Sequence, residues 1–210
     1  MDGRHTESEE GVIQTNTDSR KPERGKNLRY LLCDVSGRYE PKLERKEWVP
    51  SPTQCLDRAV EGKPGVIVVR FGPMPIQQRD ALVDLCSVLK QNSRTRKPPL
   101  LALLHEKHRA LIGDLKNAGV DFIKFIAEKP LTPFLMIKMI DRLSTEDRVD
   151  WHLTLLCPYL HYDALDACHE MTVCGAYLDR MVLGGKWLHK VCETEHHSTC
   201  KYFLNPRVKS

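Results

Sequence analysis

The run Val66-Ile67-Val68-Val69 constrains the fold more than any other feature of this chain. Four consecutive β-branched residues pack poorly in a helix, and a strand made of them is apolar on both faces, so it belongs inside a sheet that is covered on both sides. Such a sheet is parallel and needs crossover connections, most often helices. The flanking sequence supplies both. Leu100-Leu101-Ala102-Leu103-Leu104 reads as a second buried strand, and Tyr30-Leu31-Leu32-Cys33, closed by Asp34 and the turn residues Ser36-Gly37, as a third. Lys42 to Val49 is more edge-like, and Phe122 to Ile126 makes a short last strand. Between them, Ser51-Pro52 cap a helix carrying Cys55, Leu56, Ala59 and Val60, and Leu82, Leu85, Cys86 and Leu89 recur at helical spacing. A further helix runs from about Lys107 to Asn117 and is stopped by Gly119. Thr132-Pro133 open a final helix, with a core stripe expected from Phe134, Ile137, Met139, Ile140 and Leu143. The alternation predicts a doubly wound α/β sheet.

Residues 1–26 are polar and of mixed charge, with Val12-Ile13 the only apolar pair, and are expected to be a disordered tail. With 32 basic and 28 acidic residues interleaved along the chain, the net charge of +4 gives no basic face and no clear signal for nucleic acid. No stretch approaches the ~20 apolar residues of a membrane span, and the N-terminus lacks a secretory apolar core, so a cytoplasmic location is expected.

The segment from Val66 to Leu143 resembles the second half of a response-regulator receiver domain. The resemblance rests on Met74-Pro75 after the central strand, on Ala118-Gly119-Val120-Asp121, and on Lys129-Pro130-Leu131-Thr132-Pro133 before the last helix. It covers about residues 28–147 and implies a flavodoxin-like, receiver-like fold over a domain at 27–148. The positions that do the family's chemistry are altered. The phosphoacceptor position falls on Phe71, the hydroxyl position at the end of the fourth strand on Leu104, and the acidic pair is reduced to Asp34 after Cys33, while Lys129 is a candidate for the family lysine, with three extra residues between it and the Ala-Gly turn leaving open whether it takes that place. Phosphoryl transfer needs a nucleophilic carboxylate, acidic ligands for Mg²⁺ and a donor to the phosphoryl oxygens. The resemblance therefore implies a degenerate pseudo-receiver, with Asp34 expected to be a solvated carboxylate at a strand end. The chain between Asp34 and Phe71 is short for the family's full set of elements, so the first helix is expected to be shortened or lost. If it is lost, Ser36-Gly37 could join the first two strands as an antiparallel hairpin.

Of eight cysteines, Cys157, Cys168, Cys174, Cys192 and Cys200 fall in the last quarter of the chain, within a Cys/His-rich stretch at 149–210. This stretch is expected to form a small, mainly helical module. In a reducing compartment such a set points to a metal before it points to disulfides. Cys157, Cys174, Cys192 and Cys200 are the expected ligands, with Cys168, His196 and His197 as substitutes. Cys168 is expected on the same helix as Cys174 and outside the site. No Cys-x-x-Cys knuckle is present, so an iron–sulfur cluster, zinc, and no metal at all remain open. In the last case the cysteines are small buried hydrophobes. No catalytic residue is assigned. Three functions follow: a phosphorylation-independent signalling adaptor that binds protein partners and senses redox state or metal; an iron–sulfur electron carrier or metalloenzyme subunit using the α/β domain as scaffold; or a zinc-stapled interaction protein.

Overall fold

The computed structural model describes residues 29–37, 48–127, 131–177 and 181–207. The tail at 1–26, most of the connection at 38–47 where a first helix would stand, and Lys129 lie outside the described residues.

Five strands, β1 (Leu31–Cys33), β2 (Trp48–Val49), β3 (Ile67–Phe71), β4 (Leu100–Leu104) and β5 (Phe122–Phe125), form one sheet in the order β2-β1-β3-β4-β5. Every pairing is parallel. This is the flavodoxin-like doubly wound order. The parallel β1/β2 pair corrects the hairpin alternative: Ser36-Gly37 turns the chain away from β1 but does not fold β2 back against it.

Alternation along the strands divides the core. Leu31, Cys33, Ile67, Val69, Phe71, Leu100, Ala102 and Leu104 face α1 (Pro52–Gly62), α2 (Ile76–Gln91) and α3 (Arg109–Asn117). Tyr30, Leu32, Val68, Leu101 and Leu103 face the other way, toward Leu131 and Met136 of the segment leading into α4 (Pro133–Asp141) and the helix itself. Met136 is fully buried there, while Phe134 is 76% exposed. Of the expected stripe, Ile137, Met139, Ile140 and Leu143 pack against this cluster, while Phe134 in the first turn does not and Met136 is buried instead. Caps fall where the sequence puts them: Ser51 Oγ accepts from Gln54 N, and Thr132 Oγ1 from Leu135 N, at 3.3 Å each. The Ala118-Gly119-Val120-Asp121 turn also has a physical basis. Gly119 takes φ +83° after α3, and a Cβ there would lie 3.1 Å from Lys90 Cγ. Asp121 then accepts from Lys90 Nζ at 2.6 Å and from Leu100 N at 2.8 Å, tying β5 to β4 and α2.

At its first residue the outer edge of β5 is met by an isolated antiparallel bridge between Phe122 and Arg148. Helix α5 (Val149–Leu155) falls in the stretch assigned to the C-terminal module, yet Val149 and Leu156 are buried in the same core cluster as α3. The module proper holds an antiparallel sheet of β6 (Leu160–Ala164), β7 (Glu170–Cys174) and β8 (Met181–Val182), followed by short helical turns over 185–204. The expectation of a mainly helical module is corrected in that respect. Cys168 lies in the β6–β7 turn and Cys174 at the end of β7, so the two do not share a helix.

The packing predicts a sharp contrast between two aliphatic truncations. Leu101→Ala, at a fully buried position of β4, should cost about 2–5 kcal/mol in urea unfolding. Val88→Ala, on the exposed side of α2, should stay within about 0.5 kcal/mol. Equal losses would contradict the core assignment.

Candidate functional site

The carboxyl ends of β1, β3 and β4 meet where an open parallel sheet ordinarily offers a ligand crevice. In this chain the ends of β1 and β3 are bridged there by a pair of the chain's own side chains. Asp34 follows β1 and Arg70 stands in β3 on the face turned toward α4; both are buried, with side chains 1% and 3% exposed. Arg70 Nη1 donates to Asp34 Oδ2 at 2.9 Å, while Asp34 Oδ1 accepts from Ser36 N at 2.9 Å and from Ser36 Oγ at 2.5 Å. The expectation of a solvated Asp34 is therefore corrected: the carboxylate is held in a dry ion pair, and its partner comes from 36 residues away. Among the described residues Arg70 Nε has no hydrogen-bond partner. On the opposite face Phe71 and Leu104 stand side by side in the β3/β4 register, both buried. An acceptor carboxylate is absent at Phe71, and the remaining acid already has a cation.

Sequence reasoning missed a second cluster, which joins the module to the α/β domain. Arg79 of α2 makes a two-pronged pair with Glu170 of β7, Nη1 to Oε2 at 2.5 Å and Nη2 to Oε1 at 3.1 Å. His108 caps α3: its Nδ1 accepts from Leu111 N at 3.0 Å, so Nε2 carries the proton and donates to Glu170 Oε2 at 3.2 Å. The His108 ring stacks on Tyr162 of β6 with centroids 3.6 Å apart, and the Tyr162 hydroxyl accepts from Arg109 N at 2.9 Å. Arg109 Nη1 in turn donates to the carbonyls of Leu153 and Leu156, and Lys107 Nζ to that of Glu193. Ile76 N donates to Ala167 O at 2.9 Å, seating the β6–β7 turn on the start of α2. A cavity of about 460 Å³ remains between Phe71 to Ile76, Leu104 to His108 and Cys168 to Glu170.

Burial holds the His108 imidazole below its ordinary value of 6.5 despite the nearby Glu170 carboxylate, with Arg79 acting in the same direction as burial. Burial alone would raise Glu170, but the Arg79 and His108 bonds outweigh it and bring it below 4.5. Burial pushes the Tyr162 phenol up to about 12.

The four expected metal ligands lie in one region of the module. Cys157, Cys174 and Cys192 are buried in a single cluster with Leu160, Ala176 and Leu183, and Tyr202 and Phe203 beside Cys200 pack on the same cluster. Cys157 N donates to Cys192 O at 2.8 Å. Burial raises the Cys192 thiol to about 12, with Cys157, Cys174 and Cys200 adding to the shift; Cys157 is raised for the same reasons, with Cys174 and Cys200 contributing. Cys168 is exposed. His197 is nearly buried, its Nδ1 donating to Thr194 O at 2.7 Å, and His196 is exposed. Among the described residues no group of three or more His, Cys, Asp or Glu side chains stands at the spacing of a formed metal centre.

No protein-family model matches this chain, and no curated protein does. Among solved structures, a response regulator from Desulfuromonas acetoxidans is similar at 21% identity and a TM-score of 0.38, covering 55% of this chain and 94% of that one.

The clamp predicts a pH dependence. His108 has a folded value below 6.5, so below that pH the unfolded chain binds the extra proton more readily and stability falls as pH drops through 6.5. Glu170 adds a second loss only further down, as pH falls from 4.5 through its depressed folded value. His108→Asn keeps a side-chain oxygen for the cap and removes the titration. In chemical denaturation from about pH 8 to about pH 5.5 it should show a flatter profile than the natural chain. An unchanged slope would contradict the clamp as described.

Proposed function

We propose that this chain is a regulatory adaptor that works without phosphorylation, presenting a fixed surface of its receiver-like domain and docked C-terminal module to a protein partner. The observation that carries this reading is the Asp34–Arg70 pair. A carboxylate that already has a buried guanidinium and two Ser36 bonds is not available to a divalent cation, and a guanidinium in its place adds positive charge where a receiver would seat that cation. Phe71 offers no oxygen for a phosphoryl group to form a bond with. Without that chemistry, a receiver-like scaffold has no covalent switch at this site, and what remains is its surface. The bidentate Arg79–Glu170 pair and the His108–Tyr162 stack support a fixed placement of the module, because each links an element of the α/β domain to the β6/β7 hairpin. Among the described residues no helix is long and apolar enough to cross a membrane.

Incubation of the full chain with acetyl phosphate and Mg²⁺ tests the reading. No acid-labile phosphate should form, and the spectrum of the folded protein should not change on adding Mg²⁺ at millimolar concentration. Stoichiometric labelling of any carboxylate at the carboxyl edge of the sheet would overturn it.

A further inference from the structure

Among the described residues the C-terminal module has a small buried core, with Tyr159, Tyr162, Met181, Leu188, Tyr202 and Phe203 packed half-buried around it. Its buried cluster is Cys157, Leu160, Cys174, Ala176, Leu183 and Cys192, so half of it is thiol. A unit this small seldom stands on a core of that size without a staple. The cysteines of the α/β domain make the contrast plain. Cys33, Cys55 and Cys86 are also buried, but among a large set of aliphatic side chains from β1, β3, β4 and three helices, where they fill space as small hydrophobes do.

The four module cysteines also come from separate segments. Cys157 follows α5, Cys174 ends β7, Cys192 ends a helical turn and Cys200 precedes the last one. Cys157 and Cys192 are joined through the backbone at 2.8 Å, and the His197 ring, held by Thr194 O at 2.7 Å, braces the loop between Cys192 and Cys200. At Gly175, next to Cys174, a Cβ would meet the His161 ring at 2.2 Å, so the glycine lets that ring lie over the chain and fixes the end of β7. The fifth thiol, Cys168, is exposed in the β6–β7 turn.

We propose that Cys157, Cys174, Cys192 and Cys200 are the ligand set of a thiophilic metal centre, a zinc ion or an iron–sulfur cluster, that staples the module. Thiolate donors select these two groups over hard cations. Because no formed centre is present at the described side-chain positions, uptake requires rotation of the thiols toward a common point. Each thiol gives its proton to solvent as its sulfur–metal bond forms, so the sulfurs are neither oxidised nor reduced. The inference goes beyond the adaptor reading and does not depend on it: the module could be stapled whether or not the α/β domain accepts phosphate.

The test uses the full chain purified without oxygen, with zinc, iron and acid-labile sulfide measured and zinc then offered to the metal-free protein. About one centre per chain is expected, either as zinc or as iron with sulfide and a visible absorption band. Cys192→Ser should lose it at least tenfold, and Cys168→Ser should retain it in full. Since Cys192→Ser can also lose metal simply by failing to fold, Cys200→His serves as the second variant. In zinc-loaded protein it should stay folded and keep zinc with weakened affinity, because imidazole can replace one thiolate. A folded full chain that carries and takes up less than about a tenth of an equivalent of either metal would overturn the proposal. So would a Cys168→Ser variant that loses metal as completely as Cys192→Ser.

Discussion

The ion pair between Asp34 and Arg70 is the constraint around which the α/β domain is arranged. Withdrawing a carboxylate and a guanidinium from water costs several kcal/mol per ion, and only close pairing with further hydrogen bonds offsets it. The chain meets this demand on the carboxylate side, where Ser36 supplies two donors, and Gly37 takes a left-handed conformation directly after it. It meets it less fully on the guanidinium side, since Arg70 Nε finds no partner among the described residues. The consequence is register. Asp34 can reach Arg70 only if β1 and β3 are aligned as they are, Cys33 opposite Val69, and the same alignment stacks Leu32 on Val68 beneath α4.

A second set of polar contacts does the same for the module. Arg79, His108 and Glu170 are individually modest, but each satisfies a group that another leaves open. Glu170 accepts from the Arg79 guanidinium and from the neutral His108 imidazole, and His108 can serve it only because the Leu111 amide has fixed the imidazole tautomer. Tyr162 covers the ring from the other side. The module is thereby seated over the starts of α2 and α3, and Tyr162, which stacks on His108, also packs against the cysteine cluster.

Much of this was legible in the sequence because the signals are local. The Val66 to Val69 run, Leu100 to Leu104, the Ser51 and Thr132 caps and the glycine after α3 each act within a few residues, and each element forms where its pattern places it. What sequence reasoning missed is non-local. Nothing near Asp34 announces a guanidinium 36 positions later, and Arg70 reads as a break in an apolar strand rather than as half of a pair. Glu170 and Arg79 are 91 positions apart, and the one local signal in this region, the alternation of Leu160, Tyr162 and Ala164 with His161 and Asp163 in β6, marks a strand but not what it pairs with. A buried-strand position occupied by Arg was the available clue, since such a residue is almost never enclosed without a partner.

A double-mutant cycle on Asp34 and Arg70 in the full chain tests the central claim most directly. Removing either partner alone, as Asp34→Asn or Arg70→Met, strands a buried polar or charged group and should cost about 3–5 kcal/mol in equilibrium unfolding. The double variant should recover a large part of that, with a coupling of at least about 2 kcal/mol. Single effects that add to within about 0.5 kcal/mol would show that the pair does not close the site and would contradict the account.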